Sequence, residues 1–80
     1  MNIEKLQLKG MLAEAKKKYR ALDTEASGLI ILIRTLLSPY EEILNLDTEK
    51  VYVLSERLKK ISEDMKAQIE KIKKLESEFE

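Results

Sequence analysis

The stretch Leu36-Leu37-Ser38-Pro39-Tyr40-Glu41-Glu42-Ile43-Leu44-Asn45-Leu46-Asp47 holds the single proline of the chain and separates two charged, leucine-rich arms. Pro39 has no backbone N–H to donate, and it drives Ser38 out of the α region, so a helix arriving from the first arm must end near Leu37. Ser38 before Pro39, with Glu41 three residues on, has the pattern of a capping box with proline at the first helical position. The pattern predicts one short helical turn over 39–44, with Asn45 suited to the left-handed residue that would close it. Asp47 is then the cap of a second long helix, and Leu46 and Val51 occupy the two positions of a hydrophobic staple. The chain turns back on itself here.

Working outward, each arm carries an unbroken heptad pattern. Leu8, Leu12, Ala15, Tyr19, Leu22, Ala26, Leu29, Ile33 and Leu36 follow at alternating spacings of four and three. Val51, Leu54, Leu58, Ile61, Met65, Gln68, Ile72, Leu75 and Phe79 alternate three and four. Such spacing keeps the side chains on one stripe of an α-helix. The expectation is an all-α chain, a single domain over 1–80, with long helices at about 2–37 and 48–79. Folding back is tested by numbering: in an antiparallel pair the facing residue numbers add to a constant. Leu36 with Val51 gives 87, and the same total pairs Ile33 with Leu54, Leu29 with Leu58, Ala26 with Ile61, Leu22 with Met65, and so on to Leu8 with Phe79. Both alanines meet an isoleucine, small against large, as a dense core requires. The one polar seam residue, Gln68, falls opposite Tyr19, whose hydroxyl is the expected partner of its amide. The paired seam is about 45 Å long at 1.5 Å per residue.

A hairpin buries one stripe of each helix, and a chain of 80 residues rarely stabilises itself on so little. Extra apolar residues lie beside the seam at Met11, Ile30, Leu32, Leu37 and Ile69, where a solvated hairpin would carry charge. Ile31 lies opposite the seam, so the run Leu29-Ile30-Ile31-Leu32-Ile33 is apolar all round, a patch that a lone soluble chain seldom exposes. Two coverings are open. A second copy, most simply giving a four-helix bundle, would make Ile30, Ile31, Leu32, Leu37, Met11 and Ile69 an oligomer interface. Alternatively, Tyr40, Ile43, Leu44 and Leu46 of the corner fold down over the patch. Among the flanking charges, the register sets Lys18 against Lys71 and Glu25 against Asp64, and leaves only Lys9 with Glu76 attractive.

Composition removes most chemistry. The chain has no Cys and no His, which excludes disulfides, thiol and imidazole catalysis and most transition-metal sites. No nucleophile–base pair, glycine-rich phosphate loop or ligand-spaced cluster is present, so no catalytic, cofactor or metal residue is assigned and the chain reads as no enzyme. Lys and Arg number 15, Asp and Glu 15, so no net field draws it to nucleic acid or an anionic membrane. Residues 1–12 carry Glu4, Lys5 and Lys9, unlike a signal peptide, and the longest uncharged run, 26–33, is too short to span a bilayer. Cytoplasm is the default expectation. Lys16-Lys17-Lys18-Tyr19-Arg20 is the sharpest charge cluster; Lys16, Lys17 and Arg20 would supply a phosphate-binding face in an alternative, nucleic-acid-binding reading. Helical spacing spreads those cations round the solvent side, while Tyr19 belongs to the seam. Glu41, Glu42, Asp47 and Glu49 are concentrated at the corner, where capping and helix N-termini account for Glu41, Asp47 and Glu49. Ser27 and Gly28 form a small-residue patch beside Ala26, and Gly10 is a place for the first helix to fray or kink. Tyr52 and Val53, on the opening turn of the second helix, are candidate partner contacts or pack beneath the short turn.

The stretch from Ile33 to Glu49 resembles the corner of short helical proteins of unknown role encoded in Mu-like prophages. The shared features are the leucine-rich helix end (Leu36, Leu37), the Pro39-Tyr40-Glu41 turn, and the Leu46-Asp47-Thr48 restart. The resemblance covers 17 residues and implies no activity and no functional residue.

Overall fold

A computed structural model describes residues 3–79. Two long helices, α1 (Ile3–Leu36) and α2 (Thr48–Ser77), pack side by side in opposite directions, joined by a short corner. Among the described residues there is no strand. The result is a helical hairpin, a rod 64 × 16 × 14 Å. The heptads explain it residue by residue. All eighteen seam positions are buried or half-buried, whereas the helix residues outside the seam are exposed apart from Lys16, Asp64 and Ile69. The most buried positions are Ala15, Ala26, Ile61, Ile72 and Leu75, so the tightest layers are the two alanine–isoleucine pairs. Ile61 is fully enclosed because Ala26 leaves room for it.

The flanking charges differ from the simple register. Glu25 does not face Asp64: Arg57 donates to both of its carboxylate oxygens, at 2.7 and 3.0 Å. Lys16, and not Lys9, faces Glu76, at 3.9 Å. Each flanking side chain lies between two residues of the opposite helix one heptad apart, and a long side chain swings to whichever carries the opposite charge. Asp64 meanwhile has Lys60 one turn away on its own helix, at 3.3 Å. The guanidinium of Arg57, through its hydrogen bonds, holds the Glu25 carboxyl below the ordinary carboxylate range.

The corner also departs from expectation. α1 ends on Leu37 N–H to Ile33 C=O, as Pro39 requires. The following turn is closed by Glu41 N–H to Ser38 C=O, but no helix starts at Pro39. The short helix is a 3-10 turn over Ile43–Asn45, held by Asn45 N–H to Glu42 C=O and Leu46 N–H to Ile43 C=O. The Ser38 hydroxyl accepts from Tyr40 N–H at 3.4 Å, one half of the expected capping box, but the Glu41 carboxylate accepts from the Asn45 side chain at 3.2 Å instead of reaching back to Ser38. Asn45 is not left-handed, since among the described residues none has positive φ; the 3-10 turn runs straight into an extended Leu46, and no reversal is needed. Asp47 does cap α2, accepting from Lys50 N–H at 3.0 Å. Gly10 breaks nothing, and α1 is continuous through it.

Gln68 is the remaining difference. Its Oε1 is buried without a hydrogen-bond partner, so Tyr19 does not satisfy it. Tyr19 lines a groove on one side of the seam with Met65, Ile69 and Lys73, whereas Gln68 lines the opposite side with Lys18, Leu22 and Asp64. The phenol and the amide leave the seam in opposite directions.

Candidate self-association surface

The apolar residues outside the seam gather at one end of the rod. Ile30, Ile31, Leu32 and Leu37 are 44, 65, 38 and 46% exposed, and Ile31, at the heptad position opposite the seam, is the most exposed of the four. The corner does not cover them. Tyr40 is 97% exposed, Leu44 95% and Ile43 79%, and only Leu46 and Ser38 of the corner are half-buried. Between Pro39 and Asp47 the chain forms only a turn and the 3-10 segment before α2 restarts, and these leave Tyr40, Ile43 and Leu44 in solvent. Tyr52 and Val53 are likewise exposed and do not pack beneath the corner. The fold therefore brings Ile30, Ile31, Leu32 and Leu37 together with Tyr52, Val53 and the corner into one apolar end. Met11 and Ile69 are not part of it. Met11 is exposed, but it lies 20 residues before Ile31 along α1, about 30 Å away. Ile69 is half-buried in an open groove of about 400 Å³ with Tyr19, Ala26, Leu58 and Met65. Tyr40, Ile43 and Leu44 as exposed contacts were missed from sequence, because a capping pattern says where a turn starts and nothing about which way it carries the chain.

The outward faces of the two helices differ. That of α2 opens on Tyr52 and Val53 and is charged from there on, with Glu56, Lys59, Lys60, Glu63, Lys66, Glu70, Lys73 and Lys74. That of α1 from Ala21 to Thr35 is Ala21, Thr24, Ser27, Gly28, Ile31, Arg34 and Thr35, a single charge in seven residues. The hydroxyls there are already spent on their own helix: Thr24 donates to Arg20 C=O at 3.0 Å, Ser27 to Asp23 C=O at 2.9 Å and Thr35 to Ile31 C=O at 2.9 Å. Dehydrating this face strands few donors. A side chain at Gly28 would meet nothing within 4 Å, so packing inside the hairpin does not demand glycine there.

The basic cluster is split by the fold. Lys16 turns toward Glu76 and Tyr19 is half-buried at the seam, while Lys17, Lys18 and Arg20 face solvent. Among the described residues, no three Asp or Glu side chains come together in a way that could hold a metal ion, and no helix is long and apolar enough to cross a membrane. The acids Glu41, Glu42, Asp47 and Glu49 are all exposed at the corner. No protein-family model, curated protein or solved structure matches the chain.

Proposed function

We propose that this chain is a non-enzymatic helical interaction module of one domain that associates with itself through the collar of Ile30, Ile31, Leu32 and Leu37, serving as an adaptor or accessory protein in the cytoplasm. The prophage-like corner supports a phage origin for it. The observation that carries the reading is the exposure of Ile31 on the face away from α2, with Tyr40, Ile43 and Leu44 of the corner also left exposed instead of folded over it. Burying an isoleucine or leucine is worth about 1.5–3 kcal/mol, and a two-fold interface counts each residue twice, so four such residues are a large share of a small dimer's stability. Met11 and Ile69 stand apart from the collar and contribute little to it.

The test is Ile31→Lys. Light scattering should show the oligomer mass fall toward 9.3 kDa, while circular dichroism at high concentration keeps the helical signal. Unchanged mass would remove the collar from the interface. A nucleic-acid-binding role for Lys16, Lys17 and Arg20 predicts instead a retention on nucleic acid that collapses steeply with added salt.

A further inference from the structure

We infer that the collar is covered by a second copy of this chain lying antiparallel to the first, α1 against α1, so that the acidic corner of each copy rests on the Lys17–Arg20 segment of the other. This rests on the self-association reading above and adds its geometry and its electrostatics. The outward faces choose the helix. α2 presents Tyr52 and Val53 at the corner end and charge along the rest of its outward face, whereas α1 presents Ile31 amid side chains whose hydroxyls are already bonded to their own backbone.

Charge then chooses the direction. A parallel pair of α1 helices would also join the collars, but it would set Lys17, Lys18 and Arg20 beside the same three cations of the other copy. It would also set the corner acids Glu41, Glu42, Asp47 and Glu49 beside themselves. Like charges so placed cost energy at both ends of the collar. In the antiparallel pair, with Ile30 of one copy level with Ile31 of the other, facing residue numbers add to 61. The rod is 64 Å long, and the 34 residues of α1 account for about 51 Å of it at 1.5 Å each. At most about 13 Å of the rod is left for the corner beyond Leu36, a length of roughly nine helical residues. Leu36 comes level with residue 25 of the other copy, and the corner that follows it runs beside that copy's α1 from there back, as far as residue 16 at the most. Lys17, Lys18 and Arg20 lie in that span; Asp23 and Glu25 are its acids, and Arg57 already neutralises Glu25. Four carboxylates, with Lys50 the one cation beside them, meet three solvent-facing ammonium and guanidinium groups, twice over by symmetry. This gives the basic cluster and the acidic corner one common role, and it lets Tyr40, Ile43 and Leu44 lie along a helix instead of in water.

The chain has no cysteine, so single cysteines report the arrangement cleanly. Ser27 and Arg34 are both exposed on the outward face of α1 and add to 61. A disulfide needs Cα atoms within about 7 Å. In the antiparallel pair Ser27 lies beside Arg34 of the other copy, and about 10 Å along the axis from its own counterpart. The experiment mixes S27C and R34C proteins under mild oxidation, with each alone as a control, and resolves the products by mass after circular dichroism has shown both to be helical. Most of the crosslinked protein should be the S27C–R34C heterodimer, with little of either homodimer. Crosslinking of S27C to itself and R34C to itself overturns the antiparallel arrangement in favour of the parallel one. An oligomer that crosslinks in no combination overturns the α1–α1 interface while leaving self-association standing. A wild-type chain that stays at 9.3 kDa at millimolar concentration overturns both.

Discussion

Gln68 stands alone among eighteen seam positions in being polar, and its buried carbonyl oxygen has no partner. An unsatisfied buried acceptor costs about 1–3 kcal/mol. Gln68→Leu should therefore raise the urea midpoint by the equivalent of about 1 kcal/mol or more; an unchanged or lower midpoint would mean that the amide is satisfied in solution. A polar residue at a coiled-coil core position commonly fixes register at the expense of stability. Glu25 and Arg57 show the opposite case, a pair that sequence numbering set wrongly. Because Arg57 lowers the Glu25 pKa, Glu25 binds protons more weakly in the folded chain than in the unfolded one. The bridge contributes its stability at pH values above the ordinary carboxylate range and loses it as the pH falls through the lowered value. Glu25→Gln should flatten the acid limb of a plot of unfolding midpoint against pH, with little effect on the alkaline side.

At the scale of elements, the two helices, their antiparallel pairing and their seam were legible because one periodicity specifies all three. Burial follows it from Leu8 to Phe79. The corner was half legible. Pro39 and Asp47 act through backbone groups that a sequence names directly, and both behave as read. Asn45 and Glu41 do not, because side chains in a short turn have several partners within reach and the tertiary path decides among them. The same limit applies to the flank charges, where each side chain has two opposite residues to choose from. The apolar collar could be found from sequence, whereas its exposure depends on where the corner goes. The small-against-large layering is open to test. Ala15 is almost fully buried opposite Ile72, so Ala15→Leu must displace that side chain or part the helices, and overpacking of this kind costs about 1–3 kcal/mol. The thermal midpoint of that variant should fall by several degrees. A midpoint at or above that of wild type would mean that the layer has slack.

As a whole molecule the hairpin is a thin rod with a very small core: five of the described residues are strongly buried, and twelve large hydrophobic residues stay exposed. Nine of those twelve lie between Ile30 and Val53, at the corner end. So lopsided a distribution leaves a single copy with little net stability, since each ordered residue costs about 1.5 kcal/mol of conformational entropy whether or not it is buried. A second copy is therefore expected to stabilise the fold, and sedimentation equilibrium on the wild-type chain over a wide concentration range measures that association. The mass should rise from 9.3 kDa toward twice that value as concentration increases, with helical content and thermal midpoint rising alongside. A mass that stays at 9.3 kDa at millimolar concentration, with full helicity, would contradict it.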